Sequence, residues 1–171
     1  QMGAVFARER SGVADPRVGL LSIGEEASKG TPLVKEANSL LAAGEWAEVS
    51  GGHFIGNVEG RDLMTGEVDV VVTDGFTGNV ALKTLEGAMR ALVGELTGIF
   101  FANDENTKAA EVLLPALQPL VETLDPDFTG GAMLLGVKGV CIISHGSSSA
   151  QAVVNAVKVA GEMVSGDLVG H

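Results

Sequence analysis

The chain has 171 residues and a formal net charge of −11, from 22 acidic and 11 basic side chains. That length bounds one compact domain or two small lobes, and the scattered Lys and Arg exclude the electrostatic footprint of a nucleic-acid binder. Apolar residues at 46%, aromatics at 4% and 24 glycines describe an aliphatic α/β interior with many junctions, not a helical bundle or a disordered chain.

In chain order, "MGAVFARE" reads as a helix and "RVGLLSI" (Arg17 to Ile23) as a short strand buried on both faces and closed by Gly24. Glu25 to Gly30 form a polar loop. Thr31 then fits an N-cap and Pro32 a first helical turn, with Leu33, Val34, Ala37, Leu40 and Leu41 at helical spacing. "HFIGNV" (His53 to Val58) is a second strand. "VDVVVTD" (Val68 to Asp74) is the strongest strand, followed by a helix through Val80, Leu85, Met89, Leu92 and Val93.

From Leu96 to Leu124 the pattern changes: "LTGIFFANDENT" precedes the helical "KAAEVLLPALQPLVETL", which Pro115 and Pro119 are expected to interrupt. "TGGAMLLGV" leads into another buried strand, "GVCIIS" (Gly139 to Ser144), and "HGSSSAQAVVNAVKVAGEMV" into a terminal amphipathic helix. The alternation predicts a mostly parallel sheet of about four strands flanked by helices. That is small for a doubly wound fold, so part of a parent protein is expected to be missing.

Cys141, the single cysteine, reads as a buried small hydrophobe. "QMGAVFARER" lacks the pattern of a signal peptide, and no run reaches the ~18 apolar residues of a spanning helix. A cytosolic protein is expected.

Three junctions, "GEEASKGT", "DGFTGN" and "SHGSSS", follow strands and precede helices, where open α/β sheets bind ligands. Their Gly, Ser and Thr residues offer backbone N–H groups to an anion, although helix capping selects the same types. Asp74 is open between general base, substrate contact and cap. The amides of Thr77, Gly78 and Asn79 are placed to cradle a phosphate. Lys29 is either an anion's partner or a solvated loop lysine, with Glu25 and Glu26 as surface charges or its partners.

His145 is open between acid–base work and packing; His53 belongs to a strand start and His171 to a terminus. Arg61 and Asp62 read as a structural brace. No nucleotide-binding fingerprint, nucleophile elbow or metal-ligand spacing is present.

"RVGLLSIGEEASKGTPLVKEA", "HFIGNVEGRDLMTGEVDVVVTDGFTGNVALKTLEG" and "GGAMLLGVKGVCIISHGSSSAQAVVNAV" together resemble the phosphate acyltransferases of bacterial phospholipid synthesis (the PlsX family), in order over nearly the whole chain. The resemblance implies acyl transfer from acyl carrier protein to orthophosphate, giving an acyl phosphate used next to acylate glycerol 3-phosphate. It implies a three-layer α/β/α fold similar to isocitrate and isopropylmalate dehydrogenases, with residues 96–126 as a projecting helical hairpin linked with dimerisation and membrane contact. It implies a homodimer, cytoplasmic or peripheral at the membrane, with no cofactor or metal.

Lys29 and Asp74 match the lysine and aspartate proposed as catalytic in that family. Gly30, Asn57, Gly75, Thr77, Gly78, Asn79, His145, Gly146 and Ser147 are the candidate phosphate or substrate contacts. The departure is length: family members are about twice as long, so residues 1–171 are expected to be the C-terminal half and inactive alone. The alternatives are a phosphate acetyl- or butyryltransferase using coenzyme A, and a non-catalytic carrier-protein-binding fragment.

Overall fold

The computed structural model describes residues 1–124, 131–144, 146 and 148–166. They form an α/β structure divided into two compact units. One comprises residues 1–77 with 134–141 and the chain from 161 on; the other comprises 78–133 and 142–160.

The first unit is built on a parallel three-stranded sheet. β1 (Arg17–Leu21) lies between β2 (His53–Val58) and β3 (Val70–Val72). A strand paired on both sides needs apolar faces, and Val18 and Leu20 of β1 are buried with Val58 of β2. Gly19 is required by close approach: a Cβ there would stand 2.6 Å from a Val58 methyl. β3 is shorter than the apolar run 68–74 suggests and only half-buried, because it forms one edge of the sheet.

Helix α1 (Met2–Ser11) buries Ala4 and Ala7 and passes so close to β3 that a Cβ on Gly3 would meet Val70 at 2.8 Å. α2 (Pro32–Ala42) packs on β1 and β2, with Pro32 at its first turn and the Thr31 hydroxyl accepting the Val34 N–H at 3.3 Å, as its sequence dictates. Its apolar stripe is only partly covered: Leu33 and Leu40 are 63% and 68% exposed, and the buried residue is Asn38. A short helix α3 (Ala47–Ser50) precedes β2, and a 3-10 helix (Gly60–Met64) follows it.

The strand starts are tied by Arg17 and Asp69. The Asp69 carboxylate accepts the Arg17 amide at 2.8 Å and its guanidinium at 2.8 and 2.9 Å, which lowers the Asp69 pKa to about 2.

α4 (Gly75–Phe100) begins in the first unit and runs into the second, where α5 (Asp104–Leu124) follows. The helix runs through Leu96, where the sequence pattern changes, to Phe100. Thr97 and Gly98 are weak breakers only, and the Thr97 hydroxyl bonds back to the Val93 carbonyl at 2.7 Å. The turn is made instead at Asn103, whose side chain accepts the Asn106 N–H at 2.9 Å, while Asn106 donates to the Ile99 carbonyl at 2.8 Å.

Pro115 and Pro119 lie inside α5 without ending it, against expectation. Each removes one N–H donor, a local loss that the surrounding turns outweigh.

The run "GVCIIS" does not join the parallel sheet. β5 (Ile142–Ile143) pairs antiparallel with β4 (Ala132–Met133), two residues each, and Cys141 is exposed rather than buried. A short apolar run fits a local hairpin as well as a central strand, and its own neighbour in sequence wins. α6 (Ala150–Ser165) ends the described chain; its last turns return to the first unit, where Glu162 pairs with Arg10. No helix among the described residues is long and apolar enough to cross a membrane.

Candidate active site

The first junction leaves β1 at Ser22, whose N–H donates to the Val58 carbonyl at 2.8 Å. The chain then coils tightly: the Lys29 N–H donates to the Glu26 carbonyl at 2.9 Å, and the lysine stem lies against the buried Gly24. A Cβ on Gly24 would stand 2.9 Å from Lys29 Cγ and 3.0 Å from Glu26 Oε2. Gly30 closes the turn at φ 92, where a side chain would be strained and would strike Val34 at 2.7 Å. Glycine is therefore demanded at 30 by backbone geometry, whatever the ligand, whereas at 24 the close neighbours are side-chain atoms of Lys29 and Glu26.

Asn57 lies beneath this turn. It is 6% exposed, receives Asn38 Nδ2 on its Oδ1 at 2.8 Å, and donates its own Nδ2 to the Glu26 carbonyl at 2.9 Å. Asn57 is expected to contact substrate; here its side chain bonds to Asn38 and to the Glu26 carbonyl.

At the second junction the helix begins at Gly75, and Asp74 is its cap rather than Thr77. Asp74 Oδ1 accepts the Phe76 and Thr77 N–H groups at 3.0 and 2.9 Å, and Oδ2 accepts the Thr77 hydroxyl at 2.6 Å. The Thr77 hydroxyl, then its N–H and that of Phe76, hold the carboxyl below the usual carboxylate range, so Asp74 is ionised at neutral pH.

The anion cradle expected at Thr77, Gly78 and Asn79 falls at the start of α4. The Thr77 amide is taken by Asp74, and those of Gly78 and Asn79 belong to the α4 ladder. A carboxylate has about four lone-pair sites. Three are used here, leaving one on Oδ2.

These two junctions border one cavity of about 340 Å³, all within the first unit. Gly30, Thr31, Ser22, Thr73, Asp74 and Thr77 give it a polar side. Leu20, Leu21, Ile23, Leu33, Val34, Ala37 and Val72 give it an apolar wall. Of the residues expected at a site, Gly30, Asp74 and Thr77 are brought together here. Lys29, Asn57, Gly75, Gly78, Asn79, Arg61 and Asp62 do not line the cavity.

Ser22 was not foreseen. Its Oγ is buried without a hydrogen-bond partner and packs where a Gly30 Cβ would be 3.0 Å away. Nothing in "LLSIG" distinguishes that serine from any strand-end hydroxyl.

Arg61 reaches Glu25 at 3.1 Å, Glu59 at 3.0 Å and Asp62 at 3.8 Å. Asp62 accepts the Glu59 N–H at 2.7 Å in a capping box. His53 opens β2 and meets Asp15 at 2.9 Å. His145, Ser147 and His171 lie outside the described residues; Gly146 forms a turn. Among the described residues no group of His, Cys, Asp or Glu is placed to hold a metal ion.

An apolar-walled cavity at the carboxyl ends of parallel strands, with a glycine-bounded turn on one side and a capped helix start on the other, defines the ligand end of an α/β protein. Comparison with known proteins is more specific. The profile of the family described as "Fatty acid synthesis protein" matches residues 1–170. The chain is 47% identical over 168 residues to the phosphate acyltransferase of Elusimicrobium minutum and 47% over 169 residues to that of Halothermothrix orenii. It is 45% identical over 169 residues to that of Geobacillus thermodenitrificans. These alignments cover 98–99% of this chain and 48–50% of the relatives. The chain belongs to this family, the PlsX family of phosphate acyltransferases, and spans about half the length of the curated relatives it matches.

Proposed function

We propose that the protein to which this chain contributes moves a fatty acyl group from acyl carrier protein to orthophosphate, giving an acyl phosphate for phospholipid synthesis. The observation that carries this reading is the cavity with an apolar wall beside Asp74, in a chain of this family. A phosphate oxygen attacks the thioester carbonyl, the new C–O bond forms as the C–S bond breaks, and the thiolate leaves with the electron pair. The thiolate is a good leaving group, so no nucleophilic side chain is required.

Lys29 supplies the cation that neutralises phosphate or the developing oxyanion. Asp74, ionised and with one acceptor site left, is better suited to orient phosphate than to take its proton. Only a protonated P–OH donates to a carboxylate, so Asp74 selects a phosphate that carries one. Val34, Ala37 and Leu33 offer the acyl chain an apolar surface. Thr77 and Gly30 shape the pocket's polar end, and Arg61 meets Glu25 at the outer edge of the Lys29 turn.

On this reading the complete protein has the three-layer dehydrogenase-like fold, with residues 96–126 as a projecting hairpin. It is a cytoplasmic homodimer, peripheral at the membrane if that hairpin meets lipid. Residues 1–171 alone are inactive, because the rest of the site lies in the half of the relatives that this chain does not span.

The test is a chimera in which this chain replaces the matching half of the Halothermothrix orenii enzyme. It is expected to form acyl phosphate from palmitoyl-acyl carrier protein and orthophosphate, and no acyl-enzyme in rapid quench. Turnover with acetyl- or butyryl-coenzyme A only would select the alternative substrate class. A trapped acyl-enzyme would refute direct attack, and turnover by the isolated chain would refute the missing wall.

A further inference from the structure

The turn that carries Lys29 is held from beneath by a chain of buried amides. Asn38 is 8% exposed on α2 and Asn57 is 6% exposed on β2. Asn38 Nδ2 donates to Asn57 Oδ1 at 2.8 Å, Asn57 Nδ2 donates to the Glu26 carbonyl at 2.9 Å, and that same carbonyl accepts the Lys29 N–H at 2.9 Å. Three segments distant in sequence thus converge on one carbonyl oxygen, and both of its lone pairs are used.

Two buried asparagines are costly where Leu or Val would pack, unless their hydrogen bonds are made. Asn38 stands at the position of the α2 stripe best covered by the sheet, where Leu33 and Leu40 are largely exposed. Its amide therefore serves the junction rather than the core.

The geometry points to Asn38 and Asn57 as positioning residues for Lys29, acting through the Glu26 carbonyl. This rests on the phosphate-binding role given to Lys29 above. The exposed ion pair from Arg61 to Glu25 reaches the same turn at 3.1 Å, but both side chains are largely in water, so it contributes little to holding the turn. The buried relay fixes the backbone on which the lysine stem lies across Gly24. The backbone from which the cation extends is then set before phosphate arrives, which lowers the ordering cost of binding.

The test uses amide hydrogen exchange on the 171-residue chain and steady-state kinetics on the chimera. Asn57→Leu keeps the volume and cuts both links. It is expected to speed exchange of the Lys29 amide at least about 10-fold while the Gly19 to Leu21 amides of β1 are unchanged. In the chimera it is expected to raise KM for orthophosphate about 10-fold with kcat altered less than about 3-fold.

Asn38→Leu, which spares the bond to Glu26, is expected to give a smaller effect, about 3-fold on the Lys29 amide. It decides the matter if Asn57→Leu does not fold. Exchange that rises equally in β1 and at Lys29, or does not rise at Lys29, overturns the relay. If Lys29→Ala itself leaves KM for phosphate unchanged, the functional reading fails, while the exchange data still decide whether the relay holds the turn.

Discussion

The two junctions that border the cavity hold their charged residues by opposite means. At the β1–α2 junction, Lys29 rides on a turn closed by Gly30 and tied from below by buried asparagines of other elements. At the β3–α4 junction, Asp74 holds itself: its carboxylate is bonded by Phe76 and Thr77, at the surface. A local cap forms wherever the sequence Asp-Gly-Phe-Thr enters a helix. The lysine turn depends on tertiary structure and is lost when its supports move. On the proposed reading, Lys29 is therefore the residue that long-range substitutions reach, while Asp74 answers to its own neighbours.

Substitutions that break this contrast rank as follows. Lys29→Ala in the chimera is expected to lower kcat/KM at least about 100-fold, the scale of removing one charge-stabilising donor, measured as acyl phosphate formed per unit time. Gly30→Ala is expected to destabilise the chain by about 1–3 kcal/mol, because it combines a left-handed φ with a 2.7 Å approach to Val34; urea denaturation followed by circular dichroism measures it.

Asp69→Asn weakens the tie between strand starts by about 1–2 kcal/mol at pH 7, after discounting for the partly exposed Arg17. The sign follows from the lowered pKa. The folded carboxyl titrates at about 2 against an ordinary value of 3.8, so its stabilisation is full above pH 4 to 5 and is lost as pH falls toward 2. Wild type should lose stability across that window and Asp69→Asn should lose less.

Thr77→Val removes the hydroxyl from Asp74 and is expected to raise the Asp74 pKa toward the ordinary carboxylate value, with little change in overall stability. A carboxyl resonance followed through a pH titration reports it. An unchanged Asp74 titration would show that the cap does not depend on its own first turn.

Local chemistry was legible in the sequence and long-range chemistry was not. Thr31-Pro32 announces the start of α2, and "RVGLLSI" announces a strand covered on both faces, because caps and buried runs are written in adjacent residues. The sequence leaves Asp74 open between cap and chemical role, and the hydrogen bonds from Phe76 and Thr77 show the cap. "GVCIIS" reads as a strand of the main sheet yet pairs locally, because a six-residue apolar run does not name its partner.

Asn38 carried a signal that went unused. An asparagine among Val34, Ala37 and Leu41 breaks an apolar stripe, and a polar residue there implies a buried partner. The Arg17–Asp69 tie had no such signal, because its members are 52 positions apart.

The most direct test compares Lys29→Ala and Asp74→Asn with the unsubstituted chimera, in formation of palmitoyl phosphate from palmitoyl-acyl carrier protein and orthophosphate. Both variants are expected to fold and to lose most of kcat/KM, with Lys29→Ala raising KM for orthophosphate. Full activity in both variants would contradict a phosphate-and-thioester site between these two junctions.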